Sequence, residues 1–399
     1  MDVDKNGIRY TREELFNISN KLEKKLKNYN SKGKCMYGEC TKDSIYSHTI
    51  SKECSLDTIA IEREVICFDS KRSGLEKNFI YNKVNINNVT TFNGFCSTHD
   101  NQLFQCIDNN SDTKSGKEVL LQSYRSVCKS LFCEGQHKFL QNQEPLNIEM
   151  IKKYLKCNDI NLNDLNLNDE LLMSMYNYSI AESNDRLSES YKILLKYKES
   201  IENDIKNNFV NINIDEIKCT NSKKITTSDK KVTILYKWFD WRIPVSLFNH
   251  HRLKGETSVD CILNFTYIPY KNSSEVFWIF SNEDFKFFYK YWDWFISKKI
   301  NILNTIESCM MALENWCISP EVINCLPEER QNVLRKDMYF NNERTKFWQD
   351  YDMSIFDDIR MELIKNKMCD VEKERNKFNI PKRESDEVRK KKYEEVISE

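Results

Sequence analysis

A chain of 399 residues is too long for one ordinary hydrophobic core, and 40% hydrophobic with 30% charged residues is a globular composition, too apolar for a disordered chain. The 60 Lys and Arg against 61 Asp and Glu leave a formal charge of −1, so no global field draws the chain to nucleic acid or anionic lipid, and any such binding needs a local patch. Eight widely spaced glycines exclude GxGxxG, and GxxxxGK[ST] is absent, which disfavours nucleotide chemistry of the Rossmann or P-loop kind.

The N-terminus, MDVDKNG, has no basic-then-apolar signal pattern. No stretch of about 18 apolar residues follows anywhere, so a cytoplasmic protein without a membrane partner is expected. Fifteen scattered cysteines, an odd number in a long chain, read as mostly reduced thiols rather than a disulfide scaffold.

The first element is a helix, with Thr11 and Glu14 spaced as a capping box and Leu15, Ile18, Leu22 and Leu26 on one face. From residue 35 to about 108 the pattern is short, irregular and punctuated by cysteines. "KEVLLQSYRSVCKSLF" then reads as a helix with Val119, Leu120, Tyr124 and Cys128 inward. Residues 146–208 read as helical, with Leu187, Tyr191, Leu194, Ile201 and Ile205 as the apolar stripe. The period then changes to two in "VNINI", "KVTILYKWF", "IPVSLF", "SVDCILNFTYIPY" and "EVFWIFS", a small antiparallel sheet. Phe285, Phe288, Trp292, Phe295 and Ile296 return to helical spacing as core, and Ser319-Pro320 opens a further helix. Residues 370–399 carry nine acidic and nine basic residues and read as a solvated helix or a disordered end.

The fold class expected is therefore α+β, with a zinc-knuckle domain over 1–140, a helical region over 141–208, a β-plus-helix domain over 209–369 and a charged tail over 370–399. The zinc follows from spacing. Structural zinc takes four soft or borderline ligands, delivered as two close pairs. Cys35 and Cys40, in C-x4-C with Gly38 available for the tight turn, form one pair, and Cys96 and His99, in C-x2-H, form the other. The pairs enclose 55 residues. Cys54, Cys67 and Cys106 stand near enough in sequence to replace an assigned ligand.

Between the pairs lies "YSHTISKECSL", and the whole segment reads Cys35, Cys40, Ser47-His48-Thr49-Ile50, Thr91-Phe92, Gly94-Phe95-Cys96, His99-Asp100, Leu103-Phe104 and Ile107-Asp108. Over about a fifth of the chain this resembles an HNH-related (ββα-metal) group of zinc-containing bacterial proteins. The resemblance implies a nuclease, acting on DNA before RNA, with a role in phage defence. It implies that His48 is the general base, that Asp100 is a ligand of a catalytic Mg²⁺ or Mn²⁺, and that Asn93 or Asn101 orients His48 or completes the metal shell. Ser47 stands where active members carry Asp. Asp108 or Asp43 is then the carboxylate to borrow. Arg125 is the candidate phosphate contact, with a solvated surface arginine as its plainer reading.

The other reading is a catalytically inert, zinc-stabilised binding or sensor protein for a protein or nucleic-acid partner. There His48 caps a backbone carbonyl or joins the zinc shell, and residues 209–330 supply the recognition surface. Trp238, Trp241 and Arg242 in "WFDWRIP" and His250, His251, Arg252 and Lys254 in "FNHHRLKGE" are the candidates for it.

Overall fold

The structure, a computed structural model, describes residues 8–31, 33–69, 80–143, 148–149, 152, 169–217, 221–254, 260–312, 315–340 and 351–389. Most of the helix expected over 146–168, the residues 390–399, and the side chains of Leu15, Leu187 and Lys254 lie outside the described set. Sequence suggested consecutive divisions at 140, 208 and 369. Instead the chain falls into two compact units that interleave: 1–47 with 92–100 and 127–199, and 48–91 with 101–126 and 200–399.

The chain starts with helix α1 (Ile8–Asn30), strand β1 (Ile45–His48), a one-turn helix α2 (Asp57–Ile59), strands β2 (Glu64–Asp69), β3 (Ile80–Asn85) and β4 (Thr91–Phe95), and helices α3 (Ser97–Asp108), α4 (Gly116–Gln141) and α5 (Asp169–Lys206). Because α1 already runs from Ile8, Thr11 lies inside the helix and is not its cap. Strand β1 pairs with β4 as a two-stranded sheet. Helix α4 is buried all round between Val119 and Cys128, including Gln122, Ser123, Arg125 and Ser126. Only one face of it was expected to be. In α5, Leu194, Ile201 and Ile205 are buried as read, but Tyr191 is exposed.

The second unit holds strands β5 (Asn213–Ile217), β6 (Ser222–Thr226), β7 (Val232–Phe239), β8 (Val245–Lys254), β9 (Asp260–Pro269), β10 (Ser274–Ser281) and β11 (Trp316–Ile318). With β2 and β3 they form one sheet in the order β3-β2-β11-β8-β9-β10-β7-β6-β5, nine strands among the described residues where a small sheet was expected. Every neighbour in it pairs antiparallel. The added width comes from β6, from β11, and from β2 and β3, which belong to the cysteine-rich segment and join the sheet through the three-residue β11.

One sheet face packs Leu235, Leu247, Phe265, Val276, Trp278 and Phe280 against Phe288, Trp292 and Phe295 of helix α6 (Phe285–Ser297) and Leu303, Ile306 and Met310 of α7 (Lys299–Ala312). The aromatic stripe at helical spacing is thus core. On the other face, Thr266 hydroxyl meets Ser126 hydroxyl of α4 at 3.2 Å. Ser319 precedes helix α8 (Pro320–Cys325) with Pro320 in its first turn, though the serine side chain makes no cap bond.

Helices α9 (Glu328–Phe340), α10 (Asp357–Lys365) and α11 (Val371–Asn376) complete the unit. Residues 370–389 are mostly exposed, as the solvated reading had it, but Glu374, Lys377 and Arg389 depart from that reading because they are buried. Arg360 binds both Glu307 and Glu374, and Asp337 takes Arg383 and Arg389 at 2.7 Å each. Among the described residues no helix is long and apolar enough to cross a membrane.

Candidate metal centre and the His48 segment

Residues 33–44 double back on themselves. Ser44 N–H donates to Gly33 carbonyl at 3.0 Å, Cys35 N–H to Lys42 carbonyl at 2.9 Å and Cys40 N–H to Tyr37 carbonyl at 3.3 Å. The turn needs Gly38, whose φ of 58° lies in the left-handed region that a side chain disfavours. The knuckle is fastened to β4 where Met36 N–H donates to Gly94 carbonyl at 2.7 Å. Gly94 is required for space: a Cβ there would sit 2.2 Å from the Phe92 ring, which packs between Phe95 and Phe132.

Strand β4 delivers Cys96 to the residue just before α3, and the first turn of that helix carries His99. Cys35, Cys40, Cys96 and His99 then place one ligand atom each within 4.8 Å of one another. His99 Nδ1 lies 3.3 Å from Cys35 Sγ and 3.5 Å from Cys96 Sγ. A tetrahedron with zinc's bond lengths has S···N edges of about 3.5 Å. The cluster can therefore hold one metal ion, and three thiolates with one imidazole are a donor set suited to zinc. Tyr37 packs edge-on against the His99 ring at 4.7 Å between centroids.

Burial pushes the Cys35 thiol up to about 11. Burial also works against ionising Cys96, but the backbone N–H groups of His99 and Thr98 and the thiols of Cys35 and Cys40 outweigh it and bring that thiol below its usual range. A thiolate at the start of a helix is favoured by the unpaired N–H groups there. The alternative ligands Cys54, Cys67 and Cys106 stay outside the cluster.

His48 ends β1, partly buried. The segment after it is tied down from three sides: Thr49 N–H and hydroxyl both reach Thr90 carbonyl, at 3.0 and 2.8 Å, Gln122 amide donates to Thr49 carbonyl at 2.9 Å, and Ser51 hydroxyl to Asp108 carbonyl at 2.9 Å. His48 Nε2 lies 3.1 Å from Ile86 carbonyl. A carbonyl only accepts, so Nε2 carries the proton and the neutral ring presents Nδ1 as its base. Burial lowers the His48 pKa, helped by the charges of Arg125 and Lys52 and opposed by the Ile86 bond and Asp108.

Asp100 lies in the first turn of α3 and Asn101, next to it, is exposed. Asn93 is committed elsewhere, its amide donating to Asn30 carbonyl at 2.6 Å. Arg125 corrects both readings made of it. It is buried, stacked over the Phe104 ring at 4.3 Å, and clasps Asp108 through two bonds of 2.7 and 2.8 Å, so it reaches neither a phosphate nor solvent. That clasp also removes Asp108 as a carboxylate to borrow, and Asp43 is an exposed partner of Lys34.

Among the described residues, the Cys35–Cys40–Cys96–His99 group is the one set of three or more His, Cys, Asp or Glu side chains placed to share an ion. The catalytic Mg²⁺ or Mn²⁺ implied by the resemblance has no ligand group of that size among the described residues.

Trp238 and the candidates of "FNHHRLKGE" are strand residues, whereas Trp241 and Arg242 lie in the connection between β7 and β8. His250, His251 and Arg252 lie within β8, opposite Asn264, Leu263 and Ile262 of β9, where a turn was expected. Arg242 donates to the carbonyls of Thr58 at 2.9 Å and Tyr270 at 3.2 Å, and Trp241 packs on the core beneath Lys299. Sequence reading missed the Ile86 carbonyl and Lys52, which begins a π-helical turn over Lys52–Leu56. Neither carries a motif, because a backbone carbonyl and an irregular turn leave no residue-type signature. Comparison with protein-family models, with curated proteins and with solved structures finds no match to this chain.

Proposed function

We propose that this chain is a zinc-stabilised, HNH-like phosphodiesterase of nucleic acid, DNA before RNA, with zinc on Cys35, Cys40, Cys96 and His99 and with His48 as general base. The observation that carries the reading is the state of His48: Nε2 is anchored on Ile86 carbonyl, burial keeps the ring neutral, and Nδ1 is the basic atom. A neutral imidazole of fixed tautomer is what abstraction of a proton from water requires. Zinc would be structural here, its binding energy serving as folding energy for the knuckle. In this reading Nδ1 takes the proton of the attacking water, and Lys52, whose charge reaches His48, balances the phosphate.

A second reading has its own observation. The Arg125–Asp108 clasp closes off one carboxylate beside His48, and no second ion-binding group stands among the described residues. That favours an inert zinc platform that binds a protein or nucleic-acid partner, with the Ile86 bond serving only to satisfy a buried imidazole. Cleavage of plasmid DNA and of RNA, with Mg²⁺ or Mn²⁺ and without added metal, separates the two. The intact protein is compared with a His48→Ala variant that retains its zinc. Cleavage by the intact protein and none by the variant is expected. Equal inactivity of both, at full zinc content, leaves the platform.

A further inference from the structure

Cys67 and Cys317 are 250 positions apart in sequence and directly opposite each other in the sheet, Cys67 in β2 and Cys317 in β11. Directly opposed residues on antiparallel strands have Cα atoms about 4.5–5.5 Å apart, inside the range a disulfide spans. Register alone would permit a bridge. The side chains agree with the register, because both thiols are free and Cys67 is the first influence on how readily Cys317 ionises. Cys317 is buried and Cys67 partly exposed, so one sulfur of the pair can be reached from outside and the other waits behind it.

The place in the sheet gives the pair a consequence. Among the described residues, strands β3 and β2 join the other strands only through β11, which is three residues long. Two residue pairs, Cys317 with Cys67 and Ile318 with Ile66, make the whole β2–β11 seam. The Cys67–Cys317 contact sits on the narrowest junction of the sheet.

The geometry points to a dithiol redox site that closes a Cys67–Cys317 disulfide across this seam, with hydrogen peroxide as the oxidant. The Cys67 thiolate attacks a peroxide oxygen, the O–O bond breaks, and one water leaves once protonated, with a sulfenic acid on Cys67. Cys317 sulfur then attacks Cys67 sulfur, the S–O bond breaks, and the second water leaves with the thiol proton. Peroxide is reduced to two waters and two thiols are oxidised to one disulfide. The neighbouring Cys67 side chain, and then burial, hold the Cys317 thiol well above its usual range.

The test uses the full-length, zinc-loaded protein. It is exposed to graded hydrogen peroxide, its remaining thiols are blocked by alkylation under denaturing conditions, and it is digested without reduction for peptide mapping while released zinc is followed in parallel. Expected is one cross-linked peptide joining Cys67 to Cys317, formed before zinc is lost, opened by dithiothreitol, and absent in Cys67→Ala. The closed form should also melt at a higher temperature than the reduced form. Recovery of both cysteines in alkylated form after peroxide has already released zinc overturns the inference. So does Cys67 found bridged to any other cysteine, or found as sulfinic acid with Cys317 still a thiol. The mapping of the unsubstituted protein decides the matter even if the variant folds poorly.

Discussion

His48 is held by one bond, and that bond makes its proton chemistry measurable. Burial, with Arg125 and Lys52, places its folded pKa below the ordinary 6.5, against the Ile86 carbonyl and Asp108. In the unfolded chain the ring titrates near the ordinary value. Between the two values the unfolded state holds more protons, so stability rises with pH across that window and is lost as pH falls through and below about 6.5. His48→Gln, whose amide can still donate to Ile86 carbonyl, removes this contribution. Urea midpoints between about pH 5 and 7.5 should therefore fall more steeply with acid in the parent than in the variant. Parallel curves would mean that the imidazole is no less basic when folded. The base-like tautomer was not legible in the sequence, where His48 stood only at a suggestive distance from a cysteine pair. Arg125 shows the opposite failure. A charged residue on a helix is normally solvated, and the clue that it was not lay around it, in a run from Val119 to Cys128 with no other charge.

At the scale of elements, the knuckle was legible and the sheet was only half so. Two ligand pairs at short spacing leave a mark because metal geometry demands particular residues at particular separations. Gly38 and Gly94 belong to the same mark for different reasons, a left-handed turn at one and contact with the Phe92 ring at the other. Strands β7 to β10 were visible as apolar or alternating runs. Strands β2 and β11 were not, because a short strand between two others owes its existence to partners far along the chain. The knuckle's own prediction follows from its turn. Gly38→Ala puts a Cβ into the left-handed region at a cost of about 1–2 kcal/mol, and zinc binding must supply it. Zinc affinity measured by competition with a chelator should drop about tenfold, with the four ligands untouched. An unchanged affinity would show that the turn forms without the metal's help.

At the scale of the molecule, charge balance proved less informative than charge placement. Nine acidic and nine basic residues between 370 and 399 look like a solvated tail, yet several of them complete buried networks begun far upstream. Lys377 donates to Asn304 at 2.8 Å, and Arg360 reaches Asn304 at 2.9 Å while binding Glu307 and Glu374. Asp337, fully buried, is met by Arg383, Arg389 and the Tyr351 hydroxyl. Removing one partner of a buried pair costs about 3–5 kcal/mol because the other charge stays behind without compensation. A whole domain commands only about 5–15 kcal/mol. A chain ending at Cys369 loses Glu374, Lys377, Arg383 and Arg389 together, stripping Arg360 of one carboxylate and Asp337 of both arginines. It should therefore show no cooperative thermal transition of the nine-stranded unit, whereas a chain ending at Arg389 keeps every one of these pairs and should retain one. Near-equal melting of the two truncations would show that the buried arginines are dispensable and that the sheet and its aromatic helices stand without the segment after Cys369.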